Sequence, residues 1–370
     1  MLRLITVVGA RPQFIKAAVV SHAIRNSQVH GAEIEEQLLH TGQHYDPAMS
    51  DQFFSELTIP RPSFHLGIGG GSHGANTGRM LEAIEAVLLA ERPDAVMVYG
   101  DTDSTLAGAL AASKLAIPLV HVEAGLRSFN RRQPEEQNRV LTDHLSDLCF
   151  APTATAVAHL LRESIPAQRI IRCGDVMADA ARLYGDQAEA QAIDLLAGLD
   201  LPEGPFILAT IHRAENTDHS RRLQAILIAL AAASLPVVLP LHPRTAASIR
   251  RHQLEDSLQG LHRIEPVGLL AMLLLERRAA LVVTDSGGVQ KEAYLQGTPC
   301  VTVRRETEWL ELLQCGWNRL ADPDNPDAIK LAMDQQLGID ATTHRPPLYG
   351  NGYAANAIVS RLLHGGLGHG

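Results

Sequence analysis

Residues 278–303, Arg-Ala-Ala-Leu-Val-Val-Thr-Asp-Ser-Gly-Gly-Val-Gln-Lys-Glu-Ala-Tyr-Leu-Gln-Gly-Thr-Pro-Cys-Val-Thr-Val, constrain the fold more than any other stretch of this chain. The run 280–283 is short, apolar and β-rich, and reads as a buried parallel strand. Thr284-Asp285-Ser286-Gly287-Gly288 interrupts it, 289–295 has helix-forming composition, and Gly297-Thr298-Pro299 ends that helix before a second strand at 300–303. A strand, a Ser-Gly-Gly turn and a helix start together make an anion seat. The N–H groups of the first helical turn lack intrahelical partners, the helix dipole favours negative charge, and glycine lets a phosphate approach the backbone. Glu292, one turn further on, is placed to accept from ribose hydroxyls. An ordinary tight βα bend would use the same glycines, so the turn alone does not separate the two readings.

The same wiring recurs along the chain. Strands are expected at 4–8, up to about 41, 95–99, 118–122, 148–150, 170–173, 207–211, 237–241 and near 264. Helices are expected from Pro12 to about 24, over 79–91, 105–114, 134–147, 221–233, from Thr245, over 269–277 and at 355–363. The glycine-rich stretch 66–78 reads as a loop. Strand alternating with helix implies parallel sheets covered on both faces, an α/β fold. The 370 residues suffice for two domains. A junction is expected between 174 and 204, giving domains 1–174 (rejoined by a terminal helix at 353–364) and 175–352.

Composition enters as an exclusion. A formal charge of −9 argues against nucleic acid or an anionic membrane as partner, so an anionic ligand must be held by local cations and helix termini. Residues 225–241, the most apolar stretch, are interrupted by Ser234 and Pro236 and read as helix then strand, not as a membrane span. Cys149, Cys173, Cys300 and Cys315 show no metal-binding spacing, and Met1 leads straight into a strand without a leader pattern. A soluble, cytoplasmic protein is expected.

The polar residues that stand out share one address. Arg11, Asp101, Glu123, His212, His242 and Ser286 each follow a predicted strand, where ligands bind in open parallel sheets. Taken singly, Asp101 and Ser286 read better as cap or turn residues, Glu123 as the partner of Arg127, and His212 as a capping histidine; their joint placement favours function. Asp101-Thr102-Asp103 has a metal-motif spacing, but no third ligand stands nearby in sequence and no metal is expected. Glu135 and Glu136 suit a helix start.

As an ordered set, Gly9-Ala10-Arg11-Pro12-Gln13-Phe14-Ile15-Lys16, Gly100-Asp101, His121-Val122-Glu123-Ala124-Gly125-Leu126-Arg127, Pro134-Glu135-Glu136-x-Asn138-Arg139, His212-Arg213 and Asp285-Ser286-Gly287-Gly288-Val289-Gln290-Lys291-Glu292 resemble the non-hydrolysing UDP-N-acetylglucosamine 2-epimerase family over nearly the whole chain. The resemblance implies a GT-B fold, two Rossmann-like domains facing each other across a cleft, and a homodimer that needs no cofactor or metal. It implies catalytic roles for Arg11, Lys16, Asp101, Glu123, Glu135 and His212, and a diphosphate seat at Ser286, Gly287 and Gly288. It further implies a ribose contact at Glu292, a uracil contact through the backbone of Met272, and a substrate-side arginine at Arg304. The implied reaction interconverts UDP-N-acetylglucosamine and UDP-N-acetylmannosamine by eliminating and re-adding UDP, for precursors of cell-surface polysaccharide.

Two segments depart from the common pattern. Gly-Ala-Arg-Pro-Gln stands where Gly-Thr-Arg-Pro-Glu is usual. The segments 40–46 and 306–309 resemble a sub-branch that includes UDP-2,3-diacetamido-2,3-dideoxyglucuronate 2-epimerases, for whose extra acetamide and carboxylate Arg131, Arg132 or Arg305 would supply donors. Gln43, His44 and His242 match part of an allosteric UDP-N-acetylglucosamine site in bacterial members, but Tyr45 and Asp46 break its first segment, so loss of that activation is expected. A hydrolysing 2-epimerase, a retaining glycosyltransferase and a non-catalytic nucleotide-sugar-binding module are the competing readings.

Overall fold

The computed structural model of the chain describes residues 1–43, 59–339 and 345–367. It divides into two units, Met1–Ala180 with Leu348–Gly370, and Ala181–Pro347. The first runs β1 (Leu2–Val8), α1 (Arg11–Val29), β2 (Ile34–His40), β3 (Phe64–His65), α2 (His73–Glu91), β4 (Ala95–Tyr99), α3 (Asp103–Lys114), β5 (Leu119–Val122), α4 (Pro134–Leu145), β6 (Leu148–Ala151), α5 (Ala154–Arg162) and β7 (Ile170–Arg172). The division between units falls inside α6 (Val176–Ala190). The second continues with α7 (Ala192–Leu196), β8 (Ile207–Thr210), α8 (Ala214–Thr217), α9 (Ser220–Ala231), β9 (Val237–Pro240), α10 (Pro243–His252) and β10 (Leu261–Ile264). Then come α11 (Leu269–Arg278), β11 (Leu281–Thr284), α12 (Gly287–Gln296), β12 (Cys300–Thr302), α13 (Leu310–Gln314), β13 (Asn318–Leu320) and α14 (Pro326–Leu337).

Each unit holds one parallel sheet, ordered β3-β2-β1-β4-β5-β6-β7 in the first and β10-β9-β8-β11-β12-β13 in the second. Strand order therefore reverses beside β1 and β4, and again beside β8 and β11. The central strands are mostly apolar because helices cover both faces: every residue of β4, β5, β8 and β11 is buried, the polar His121, Thr210 and Thr284 included. Register follows from that burial, with Val7 opposite Val98 and Thr210 opposite Thr284, whose hydroxyls meet at 2.6 Å. The last helix, α15 (Ala354–His364), belongs to the first unit. Asp179 accepts from the N–H groups of Ala354 and Ala355 at 2.9 and 2.8 Å, satisfying two donors at its start.

Two sequence expectations fail locally. The stretch 66–78 is not loop throughout. Ser72 caps a helix that begins at His73, six residues before the expected start, and takes Gly74 and Gly78 into it. Gly67, Gly70 and Gly71 keep positive φ and form the bend ahead of that cap. Likewise α3 begins at Asp103, because Thr102 and Thr105 cap it reciprocally, so Asp103 lies in the helix and not in the loop after β4. The segments α5, β3, α13, β13 and α14 carry no expectation from the sequence. Among the described residues, no helix is long and apolar enough to cross a membrane.

Candidate active site

In a doubly wound sheet, the carboxyl ends of the strands flanking the reversal point open onto a crevice. In the first unit these are β1, β4 and the adjoining β5, and the residues that follow them converge. Lys16, on the second turn of α1, forms a nearly buried ion pair with Glu123, which directly follows β5; their side chains are 11% and 8% exposed. Gly100, after β4, sits underneath: a Cβ there would meet Glu123 Oε2 at 3.3 Å and Lys16 Nζ at 3.4 Å, and its φ is +61°. Glycine meets both demands at once. Glu123 itself has φ +73°, a left-handed conformation that costs a non-glycine residue roughly 1–3 kcal/mol and clusters at functional sites.

Asp101 lies beside this pair and is held by Arg139 of α4. Although 31% of its side chain is accessible, burial of the carboxyl pushes its pKa up. Arg139 and Lys16 pull the other way without cancelling the rise, and Glu123 adds to it. The Asp103 carboxylate points elsewhere, to His73 Nδ1 at 2.9 Å, so the two carboxylates have different partners. Among the described residues, no group of three His, Cys, Asp or Glu side chains is disposed to hold a metal. Gln13 fixes the β1 turn, accepting from the N–H of Gly9 and Ala10 and donating to the Tyr99 carbonyl at 2.8 Å. Arg11 opens α1, but its side chain lies outside the described residues, as do His44, Tyr45 and Asp46. Gln43 accepts from Ser104 through both N–H (3.0 Å) and hydroxyl (2.6 Å).

The sequence reading of Glu123 as the partner of Arg127 is overturned. Arg127 pairs instead with Asp143 and Glu163, both at 2.7 Å, and leaves Glu123 to Lys16. The two glutamates of α4 also separate. Glu136 is buried and accepts from Ser128 N–H (2.8 Å) and Phe129 N–H (2.9 Å), whereas Glu135 is exposed.

In the second unit the reversal point lies between β8 and β11. Asp285, fully buried after β11, accepts from the N–H groups of His212 (3.1 Å) and Arg213 (3.0 Å) and from Asn216 Nδ2 (3.0 Å), so one carboxylate shapes the whole turn after β8. His212 stands 3.8 Å from that carboxylate through Nδ1, with its ring 5.3 Å from His242. It is His242, not His212, that caps a helix with its ring, accepting from Arg244 N–H at 3.1 Å.

Ser286 does cap α12, accepting from Val289 N–H at 3.4 Å. The N–H groups of Gly287 and Gly288 make no hydrogen bond with the described residues. The buried Arg304 is paired with Glu308 at 3.1 Å, and Glu308 Oε1 lies only 2.3 Å from where a Cβ on Gly287 would be. The Arg304–Glu308 ion pair therefore lies beside the first residue of α12. Glu292 Oε1 is 3.8 Å from the corresponding point on Gly288. Met272 is half-buried in the first turn of α11, its N–H donating to the Gly268 carbonyl at 3.0 Å.

Sequence reasoning gave no role of their own to Arg139, Asp143, Asp285 and Asn216, and read Glu136 only as a helix-start residue. A signal for the three on α4 was present: α4 buries Glu136, Asn138, Thr142 and Asp143, with no apolar stripe, and Glu136, Arg139 and Asp143 fall on one helical face.

Residues 27–363 match the family model of UDP-N-acetylglucosamine 2-epimerases. The chain is 50% identical to a UDP-2,3-diacetamido-2,3-dideoxy-D-glucuronate 2-epimerase of Pseudomonas aeruginosa, over 98% of this chain and 99% of that one. The crystal structure of the UDP-GlcNAc 2-epimerase of Methanocaldococcus jannaschii in complex with UDP-GlcNAc and UDP superposes with a TM-score of 0.86 at 40% identity, covering 98% of this chain and 99% of that one. The Neisseria meningitidis UDP-GlcNAc 2-epimerase bound to UDP-GlcNAc gives 0.87 at 31% identity, covering 98% and 100%. The two reversed parallel sheets thus recur across whole chains: this is a GT-B protein, and it belongs to the UDP-N-acetylglucosamine 2-epimerase family.

Proposed function

We propose that the chain inverts C2 of UDP-2,3-diacetamido-2,3-dideoxy-D-glucuronate without hydrolysing it. The reaction runs through elimination: a base removes the C2 proton, the electron pair forms the C1=C2 bond, and the C1–O bond breaks to release UDP. Protonation of C2 from the opposite face and attack of UDP on C1 complete the inversion. Asp101, Glu123, Glu135 and His212 are the acid and base groups. Arg11, Lys16, Arg304 and the start of α12 stabilise the departing diphosphate, while Glu292 and Met272 hold ribose and base. The observation that carries this reading is Glu123, held in a left-handed conformation against Lys16 and next to Asp101, whose raised pKa suits a proton donor.

The choice of sugar is supported by the 50% identical relative. It is also supported by the cations available to the sugar's C6 carboxylate. Arg305 is engaged by Asp322 and Asp324, whereas Arg131 and Arg132 are exposed and make no ion pair with the described residues. UDP-N-acetylglucosamine is the second reading, supported by the likeness to the Methanocaldococcus jannaschii enzyme. The same proposal takes the enzyme as a cytoplasmic homodimer, not activated by UDP-N-acetylglucosamine; four free thiols, two of them buried, suit a reducing compartment.

Incubation of the protein with each UDP-sugar in D2O, followed by NMR, tests this. A stable pair of UDP-sugar epimers with deuterium at C2 is expected. The kcat/KM for the diacetamido uronate should exceed that for UDP-N-acetylglucosamine by at least about tenfold. Accumulating free sugar would replace the proposal with hydrolysis, and C2 hydrogen that never exchanges would end it.

A further inference from the structure

Asp143 is fully buried near the end of α4, one of a run of buried polar residues on a helix that would ordinarily bury apolar ones. Burying a polar group is costly unless partners satisfy it. Here the partners of the carboxylate all belong to β5 and to the loop after it, which carries Glu123. Asp143 Oδ1 accepts from His121 Nδ1 at 2.6 Å, and Oδ2 accepts from Gly125 N–H at 3.0 Å and pairs with Arg127 Nη1 at 2.7 Å. His121 and Gly125 stand two residues before and two residues after Glu123, so one carboxylate grips both sides of the strained residue. His121 continues the chain of bonds. Its Nε2 meets the Gly100 carbonyl at 2.8 Å, and Gly100 is both the floor under Glu123 and Lys16 and the residue before Asp101. With a carboxylate on one side of the ring and a carbonyl on the other, His121 ties Asp143 to Gly100. Arg139 and Asn138, on the same helix, hold Asp101 by its carboxylate and by its carbonyl (2.9 Å).

We propose that Asp143 is the positioning residue of this edge: through His121 and Gly125 it sets the place of Glu123 relative to Gly100 and Asp101. The proposal rests on the epimerase reading and deepens it. Asp143 touches none of the reacting atoms. Its effect is on the geometry of two proposed acid–base groups that come from different strands, and a displacement of either from its productive position slows proton transfer more than it weakens binding.

The test compares Asp143→Asn with wild type and with Glu163→Gln, which removes the other carboxylate on Arg127 without touching residues 121–125. Asp143→Asn is expected to lower kcat and C2 deuterium exchange together by about a hundredfold. Its KM and UDP affinity should stay within about threefold. Glu163→Gln is expected to keep kcat within about twofold while lowering Tm. Wild-type kcat in Asp143→Asn would overturn the proposal. So would a loss of UDP affinity and Tm in step with kcat, which is the mark of a merely structural role. Should Asp143→Asn not fold, His121→Asn and His121→Gln decide. The first keeps a donor towards Asp143 and loses Gly100, and the second does the reverse. A fall in kcat at constant KM in both supports the proposal, and wild-type kcat in either overturns it. Failure of the wild-type protein to exchange C2 hydrogen on any UDP-sugar is a separate result, which would remove the epimerase reading itself.

Discussion

The charged edge of the first unit and the helix mouth of the second are built from the same topological feature but from different materials. After β1, β4 and β5, the groups that converge are side chains: Lys16, Asp101, Glu123 and Arg139, each locked by an opposite charge. After β8 and β11, most of what converges is backbone: the N–H groups of Gly287 and Gly288, with Asp285 holding the neighbouring turn by three donors. Side-chain charges can exchange protons, and their pKa values can be tuned by burial. Backbone N–H groups can only donate, so they suit an anion that stays charged throughout. Under the proposed function, the contrast gives most of the proton chemistry to the first unit, with His212 joining from the second, and backbone donors for the leaving group to the second, with Arg11 and Lys16 joining from the first.

The largest expected break in this contrast is Glu123→Gln. It should lower kcat and C2 exchange by about 10³-fold while UDP affinity, measured by calorimetry, stays within a few-fold. The same change orphans a nearly buried lysine, so a loss of roughly 3 kcal/mol in denaturant unfolding is expected with it. Gly287→Ala should give the opposite pattern. Its methyl would collide with the Glu308 carboxylate and narrow the helix mouth, weakening UDP by about tenfold while leaving kcat at saturation close to wild type. Should either substitution move both quantities equally, the division of labour is wrong.

The smallest expected effect sharpens the comparison through pH. Asp143 is buried, which alone would raise its pKa, but His121 and Arg127 outweigh burial and hold the carboxyl below its ordinary range. The stability it lends is present above that range and lost as pH falls through the lowered value. In the second unit Glu276 is fully buried, with neither carboxyl oxygen hydrogen-bonded, and burial, then Glu292, raise its pKa. Its folded value lies above its unfolded one, so it does the reverse. Stability falls as pH rises from the ordinary carboxylate range towards the raised value. Glu276→Met should therefore stabilise the protein at neutral pH by about 1–3 kcal/mol. It should also flatten the alkaline side of a Tm-against-pH curve and leave the acid side, to which Asp143 contributes, unchanged.

Much of the fold was legible in the chain because its signals are local. Runs such as 95–99 are buried on both faces and therefore apolar throughout. Pro12 and Pro134 stand in the first turns of their helices, and Ser286-Gly287-Gly288 marks a strand-to-helix turn whatever lies around it. Capping was read less well. Ser72 and Thr102 start helices that the surrounding glycines and aspartates had concealed. The strand-end placement of Asp101, Glu123, His212 and Ser286 was also legible, since a parallel sheet puts all its carboxyl ends on one side.

What the chain by itself determined, then, is where polar groups gather. Which of them touch was decided only by tertiary structure. Glu123 takes Lys16, 107 residues away, in preference to Arg127, four residues away, because the register of β1, β4 and β5 brings the α1 turn over Gly100 while α4 draws Arg127 to Asp143. Pairing of charges depends on distances of a few ångströms across strands that are remote in sequence. Local composition carries no record of those distances until the sheet has closed.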